Sequence, residues 1–342
     1  MHEIDGAHGE GGGQLLRAAV ALAAITGRPV RISNIRAGRS KPGLAAQHVA
    51  AVRAVAGLCG ASVENLALKS TQIEFRPGRR SGGAFRVEIG TAGSIGLVLQ
   101  ALIPVAVSGT APCRATICGG TDVRGAPSID YLQHVLVPLI GRMGASVSLH
   151  VRRRGYYPRG GGEVELSVAP SKLRPARLEV PGRLLRIGGL AHVAGLPLQV
   201  AERMRDAAAR QLATRPAKLE VETARIAEGQ AIGQGGALVL WAELENSTLG
   251  AGRTAERGVR AETLGEAAGR ELDEDLAAGA ALDVHAADQV LVYLALAGGE
   301  SSFTTRALTS HAGTAIWLIE QFLPVRFETV AVGTCTRVSV RG

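Results

Sequence analysis

The tetrapeptide Gly-Ala-Ser-Val stands at residues 60–63 and again at 144–147, each time where a helical pattern gives way to an alternating one. A return at the same place in a longer unit constrains the fold strongly, because repeated units bury their apolar faces on one another. The first unit runs from a helical stretch, Leu15 to Ile25, through Thr26-Gly27-Arg28-Pro29 to the alternating Val30-Arg31-Ile32. A second helical pattern, Ala45 to Leu58, and the strand-like Gln72 to Phe75 complete it. The second unit repeats the order with Ser94 to Val107, Arg114 to Ile117 and Ile129 to Met143. A third copy has helices at Asp288 to Ala297 and Thr314 to Leu323, with extended segments Ser302 to Thr305, Val325 to Val332 and Thr336 to Val340. Three βαβαββ-like units are expected, in the α/β (α+β) class.

Between the second and third copies lies a stretch with its own pattern. Alternating Arg186 to Gly189, a helix Leu198 to Leu212, strands Leu219 to Thr223 and Ala237 to Leu244, and a last helix Ala255 to Leu276 follow in turn. A chain of 342 residues exceeds the usual single-domain size. The expected organisation is therefore a core of residues 1–182 and 277–342, with a smaller inserted α/β domain at 183–276 between repeats two and three.

Ahead of the first helix stands Asp5-Gly6-Ala7-His8-Gly9-Glu10-Gly11-Gly12-Gly13-Gln14. Three glycines leave the N–H groups at a helix start bare, and a helix N-terminus favours an anion such as phosphate. Glu10 would repel that anion unless a divalent cation stood between them. The loop points to nucleotide plus metal, with a glycine turn capping a core helix as the plainer alternative. It lacks the Lys-Ser/Thr of a Walker A loop and the glycine spacing of the dinucleotide fingerprint.

The net charge of +8 suits a polyanionic partner, although nearly all the cations are Arg and a G+C-rich genome inflates Arg, Ala and Gly together. Aromatic residues make up only 3%, which argues against a broad stacking platform for single strands. Cys59, Cys113, Cys118 and Cys335 have no Cys-x-x-Cys spacing, so neither a zinc site nor a disulfide framework is expected. No apolar run approaches the length of a membrane span, and a cytoplasmic location is expected.

Arg36-Ala37-Gly38-Arg39-Ser40-Lys41-Pro42-Gly43 puts three cations and two glycines in eight residues, before a helix carrying Gln47 and His48. Such a loop holds phosphates, Arg bidentately and Lys as a point charge, or is simply a solvated basic turn. Arg17 lies among Leu15, Leu16, Ala18, Ala19 and Val20, so its guanidinium must be paired or face a polar cavity. His311, after Thr309 and Ser310, opens the last amphipathic helix away from its apolar face, where the dipole keeps an imidazole nitrogen free as a nucleophile, or it is simply a surface or satisfied histidine. His285-Ala286-Ala287-Asp288-Gln289 is a similar cluster, with Asp288 a candidate cap. Tyr156 to Gly162, after Arg152-Arg153-Arg154, reads as a basic hairpin corner.

Together Gly9 to Arg17, Arg36 to His48, Gln100, Ala126-Pro127, Tyr156 to Gly162, His285 to Gln289 and His311 resemble, in order and spacing from about Ile4 to Val340, the RNA 3′-terminal phosphate cyclase family. The resemblance implies a three-repeat core with an inserted domain, and ATP-dependent conversion of an RNA 3′-phosphate to a 2′,3′-cyclic phosphate. It implies His311 as the histidine adenylated by ATP, Glu10 as the ligand of Mg²⁺ or Mn²⁺, and Arg17, Arg36, Arg39 and Gln47 as phosphate contacts. Gln100 and His285, Ala286, Ala287, Asp288 and Gln289 correspond to nucleotide-contacting positions, with Pro127 and His285 flanking the adenine. Some relatives carry Tyr where this chain has His285, so stacking is expected to be weaker. The expected partners are RNA 3′-phosphate ends and ATP, without a membrane, and a homodimer is left open. Two alternatives are weighed: a non-catalytic relative in ribosome biogenesis, which lacks the catalytic His, and an enolpyruvyl transferase, which needs no protein–AMP intermediate.

Overall fold

The computed structural model describes all residues, Met1–Gly342. It is a mixed α and β structure with four mixed sheets. In the first sheet, His2–Asp5 pairs parallel with Val30–Ser33, which pairs antiparallel with Ile73–Arg76, which in turn pairs antiparallel with Ser62–Glu64. The second sheet follows the same scheme: Gly83–Glu88 lies parallel to Cys113–Gly119, then Gly162–Ala169 and Ser146–Gly155 follow antiparallel. In the sheet that closes the chain, Arg177–Leu178 lies parallel to Ser301–Thr305, followed antiparallel by Cys335–Arg341 and Arg326–Val332. The short strand Arg177–Leu178 thus stands before the stretch 183–276 in sequence and joins a strand from beyond it.

The helices Gly13–Thr26, Ala46–Cys59, Ile95–Val107, Val284–Leu296 and Ser310–Phe322 share one continuous apolar core with these sheets. Short side chains allow this: Ala19, Ala23, Ala51, Ala101 and Ala287 are buried, so helices approach closely. Ser94, Ser128, Asp283 and Thr309 each cap the helix they precede by accepting a backbone N–H. Helix Gly13–Thr26 begins at Gly12 with no side-chain cap. Its bare first turn marks it out.

Residues 184–278 have a separate apolar core. Its sheet runs Lys218–Arg225, Leu184–Ala194, Gly235–Leu244, Thr248–Thr254, with the helices Leu198–Leu212 and Ala261–Ala278 packed on it. The last helix starts at Ala261 rather than Ala255, because the strand 248–254 runs into a turn closed by Val259 N–H on Glu256 O, with Gly258 at φ +84°. Its Leu-Gly-Ala-Gly stretch carries no apolar alternation, and Gly250 is required there because a Cβ would overlap Val135. The two cores are joined at a polar seam. Strand Ala231–Ile232 pairs parallel with Arg154–Gly155 of the second sheet, and the rings of His134 and Trp241 stack 4.0 Å apart.

Two further boundaries differ from the sequence pattern. Val284–Leu296 starts four residues earlier than expected, capped by Asp283 rather than Asp288, and Ser310–Phe322 starts four residues before Thr314. Polar His285, Asp288 and His311 mask the apolar period there because they face a cleft. The helix from Ile129 to Arg142 contains a π-helical turn, Leu132–Leu136. All four cysteines are free and buried. No helix is long and apolar enough to cross a membrane.

Candidate active site

A cleft of about 760 Å³ is lined from distant parts of the chain: Glu10 and Arg17, Arg36, Arg39, Gln47 and His48, Gln100, Pro127, Arg253, His285, Asp288, Gln289 and His311. This is the size of an ordinary small-molecule site. The 297 residues separating Gln14 from His311 are closed by contact between the glycine loop and the last helix.

His311 Nδ1 lies 2.5 Å from Gln14 Oε1 and 2.7 Å from Glu10 Oε2. Both neighbours are acceptors, so the Nδ1 proton is held between them and the lone pair is on Nε2. The other Glu10 oxygen is paired with Arg39. Burial lowers the His311 pKa, Asp288 opposes that, and Arg17 and Arg39 add to it, so the imidazole is neutral at pH 7. Gly9 fixes the loop against this helix: its φ is +61°, and a Cβ would overlap Thr314 Oγ1, one turn beyond His311.

Arg17 is buried, and burial lowers its pKa to about 10. Its one acceptor is Gln100 Oε1 at 3.4 Å, its Nε has no partner, and no carboxylate reaches it. A desolvated guanidinium left in this state on a cleft wall is a site for an anion. His48 packs against the bare start of the first helix, where a Cβ on Gly13 would overlap its ring. It accepts the Ala45 N–H at 3.0 Å, and burial with Arg17 and Arg36 nearby lowers its pKa to about 3, so it adds no charge. Arg36 Nη1 donates to Gly43 O at 2.7 Å, folding the basic loop back on itself. Gln47 Oε1 accepts the Ser94 N–H at 3.0 Å, tying this wall to the next helix.

The segment 284–289 divides in two. His285, Asp288 and Gln289 line the cleft, whereas Ala286 and Ala287 are fully buried in the core behind it. Asp283 caps the helix through N–H groups of His285 and Ala286, and accepts from Tyr131 Oη at 2.8 Å and from Gly250 N at 2.9 Å. Burial raises the Asp288 pKa to about 6, and Thr309 donates to it at 2.7 Å. Pro127 lines the cleft. The Tyr156 to Gly162 corner does not: Tyr156 is buried with its hydroxyl 3.0 Å from His192 Nδ1, in the seam between the two cores.

Sequence reasoning missed Gln14, whose amide neighbours His311, and the residues 184–278 bring to the cleft. Arg253 and Glu256 line it, and Glu256 pairs with Arg124 across its mouth at 3.2 Å. Gln14 stands four residues after Glu10, at the second position of helix Gly13–Thr26, and was readable as part of the loop. Arg253 lies in a strand that carries no pattern, and nothing in the sequence marked it.

The family model described as RNA 3′-terminal phosphate cyclase matches residues 8–329. A protein of that name from Nitrosospira multiformis is 54% identical, covering 100% of this chain and 97% of its own length. Those from Methanopyrus kandleri and Ignicoccus hospitalis are 45% and 46% identical, each covering 95% of this chain and 94% and 93% of their own. With the match spanning nearly every residue that lines the cleft, the chain belongs to the RNA 3′-terminal phosphate cyclase family.

Proposed function

We propose that this enzyme converts an RNA 3′-terminal phosphate to a 2′,3′-cyclic phosphate at the expense of ATP, through a covalent histidyl-AMP on His311. The observation that carries the reading is the state of His311, with Nδ1 held by Gln14 and Glu10 and Nε2 left as a free base in a cleft that also holds the unpaired Arg17. In the first step the Nε2 lone pair attacks the α-phosphorus, the bond to the bridging oxygen breaks, and pyrophosphate leaves. The Nδ1 proton is steadied by the Glu10 carboxylate as positive charge develops on the ring. In the second step an oxygen of the RNA 3′-phosphate takes the AMP from His311, and the P–N bond breaks. In the third, the 2′-hydroxyl oxygen attacks the terminal phosphorus, its proton is lost, and AMP leaves. Adenylation is needed because a phosphate oxygen is otherwise a poor leaving group.

Arg17, Arg36, Arg39 and Gln47 hold phosphates in this reading, and Gln100, Asp288, Gln289, Pro127 and His285 take the nucleoside. Glu10 would hold Mg²⁺, or Mn²⁺ in its place, through the oxygen that pairs with Arg39, while its other oxygen stays on His311. The metal would neutralise triphosphate charge and favour pyrophosphate departure. Residues 1–182 and 277–342 form the three-repeat core, and the parallel pairing of Arg177–Leu178 with Ser301–Thr305 favours a refinement. The inserted unit 183–276 then lies within the third repeat, after its first strand. Ala286 and Ala287 act by packing, not contact. A cytoplasmic location belongs to the same reading.

Incubation with α-labelled ATP and Mg²⁺ or Mn²⁺ is expected to give an acid-labile, alkali-stable label on the protein. An unlabelled wild type, or a His311→Ala variant that labels equally well, overturns the mechanism. An enolpyruvyl transferase would take up no label in either form.

A further inference from the structure

One charged assembly on the cleft wall is unused by the chemistry of His311. His285 lines the cleft with its side chain 53% exposed, and its Nε2 lies 2.7 Å from Glu271 Oε1. Glu271 belongs to helix Ala261–Ala278 and is 13% exposed, and its other oxygen is gripped by Arg253 of strand Thr248–Thr254. Arg253 is itself held by the Gly252 carbonyl at 2.7 Å. Burial opposes the Glu271 charge, but His285 and Arg253 outweigh it and keep the carboxylate ionised. The His285 backbone is pinned as well, by the bond from its N–H to Asp283 Oδ1 at 2.9 Å.

The groups facing His285 are Glu271 and, through it, Arg253 from the 184–278 unit, Asp283 and Asp288 from its own helix region, and His311 from the last helix. The Glu271 hydrogen bond raises the imidazole pKa, burial opposes it, and the two aspartates add to the rise. A ring at the first turn of a helix is ordinarily disfavoured as a cation by the dipole. Here three carboxyl groups surround it.

We propose that Glu271, braced by Arg253, is a positioning residue: it orients His285 as an imidazolium against the purine ring of the nucleotide, so that the inserted unit sets nucleotide affinity. This rests on the ATP reading above. Stacking a cation on the electron-rich face of a purine stabilises the complex in the manner of a cation–π contact.

The experiment measures KM for ATP and kcat of His311 adenylation from pH 5.5 to 8.5 in the full-length protein, together with the His285 C2–H titration by NMR. In wild type, KM is expected to rise only as pH passes the raised His285 value. In Glu271→Gln that rise moves to lower pH, so at neutral pH KM is higher by about tenfold, kcat is retained, and the His285 resonance titrates earlier. His285→Tyr is expected to bind ATP without this pH dependence and to be insensitive to a further Glu271→Gln. A Glu271→Gln profile that superimposes on wild type, or an equal KM effect of Glu271→Gln in the His285→Tyr background, overturns the proposal. A wild type that takes no label overturns the ATP reading instead, so the two failures are distinct.

Discussion

Arg17 and Arg154 are buried to the same degree, each 7% exposed, and live in opposite surroundings. Arg154 is bidentate with Asp130 at 2.7 and 2.8 Å and reaches Asp122 at 3.4 Å. His192, from strand Leu184–Ala194, brings its Nε2 within 3.3 Å of Asp130 and 3.7 Å of Asp122. Burial works against every charge in this group. Even so, His192 and Arg154 hold both aspartates below their ordinary range, and the aspartates hold His192 above its ordinary 6.5. Asp122, Asp130, Arg154 and His192 close into a quartet across the seam. Arg17 has only an amide oxygen at 3.4 Å. A buried cation paired with carboxylates fastens the fold; on the proposed reading, the one left without a carboxylate holds a phosphate.

The sharpest break of this comparison is Arg154→Met. Removing one member of a buried ion pair leaves the others uncompensated, at a cost of about 3–5 kcal/mol. Urea unfolding is expected to show that loss, and an unchanged midpoint would mean the quartet fastens nothing. Arg17→Met is expected to behave oppositely. It removes a desolvated charge that no protein group repays, so the thermal midpoint should hold or rise, while adenylation falls by about 10²–10³-fold. A destabilised Arg17→Met with normal adenylation would reverse the two roles.

How far these roles could be read in advance follows from the residues themselves. Arg17 was conspicuous because it interrupts an apolar helical pattern, and Glu10 and His311 because they stand at helix starts with no packing purpose. Arg154 was hidden in the run Arg152-Arg153-Arg154, where a bulge between Val151 and Arg153 breaks the strand alternation and only Arg154 is buried, and its partners Asp130 and Asp122 stand 24 and 32 residues before it. Periodicity exposes helices with one apolar face, so Leu198–Leu212 was legible to the residue. It fails where polar groups face a cleft, as at 284–288, and where a glycine makes room for neighbouring side chains, as Gly250 does within 248–254. Pairings across the seam are long-range contacts between side chains, and no local pattern encodes them.

The seam also carries a pH dependence. Because the folded protein raises the His192 pKa above 6.5, its contribution to stability is complete below 6.5 and is lost as pH rises through the folded value. The aspartates contribute above their unfolded value near 3.8 and lose that contribution on further acidification. The stability read from urea unfolding is therefore expected to fall as pH rises above 6.5, and that dependence to vanish in His192→Gln. A wild-type profile flat from pH 6 to 9 would exclude an imidazolium in the quartet.

The smallest expected effect lies at the open site, where a carboxyl is kept near a base without pairing to it. Asp288, its pKa raised to about 6 by burial, accepts the Thr309 hydroxyl at 2.7 Å, while Thr309 Oγ1 accepts the Ala312 N–H at 3.1 Å and so caps the helix of His311. Asp288→Asn keeps an oxygen for Thr309 and removes only the charge. That charge works against the lowering of the His311 pKa, so its loss lets the imidazole shed its proton at still lower pH. The acid limb of the adenylation rate at saturating ATP, which lies below pH 6.5 in wild type, should move to lower pH. The aspartates of the seam hold a cation in place, whereas Asp288 only tunes one, and an acid limb that moves upward in Asp288→Asn would erase that distinction.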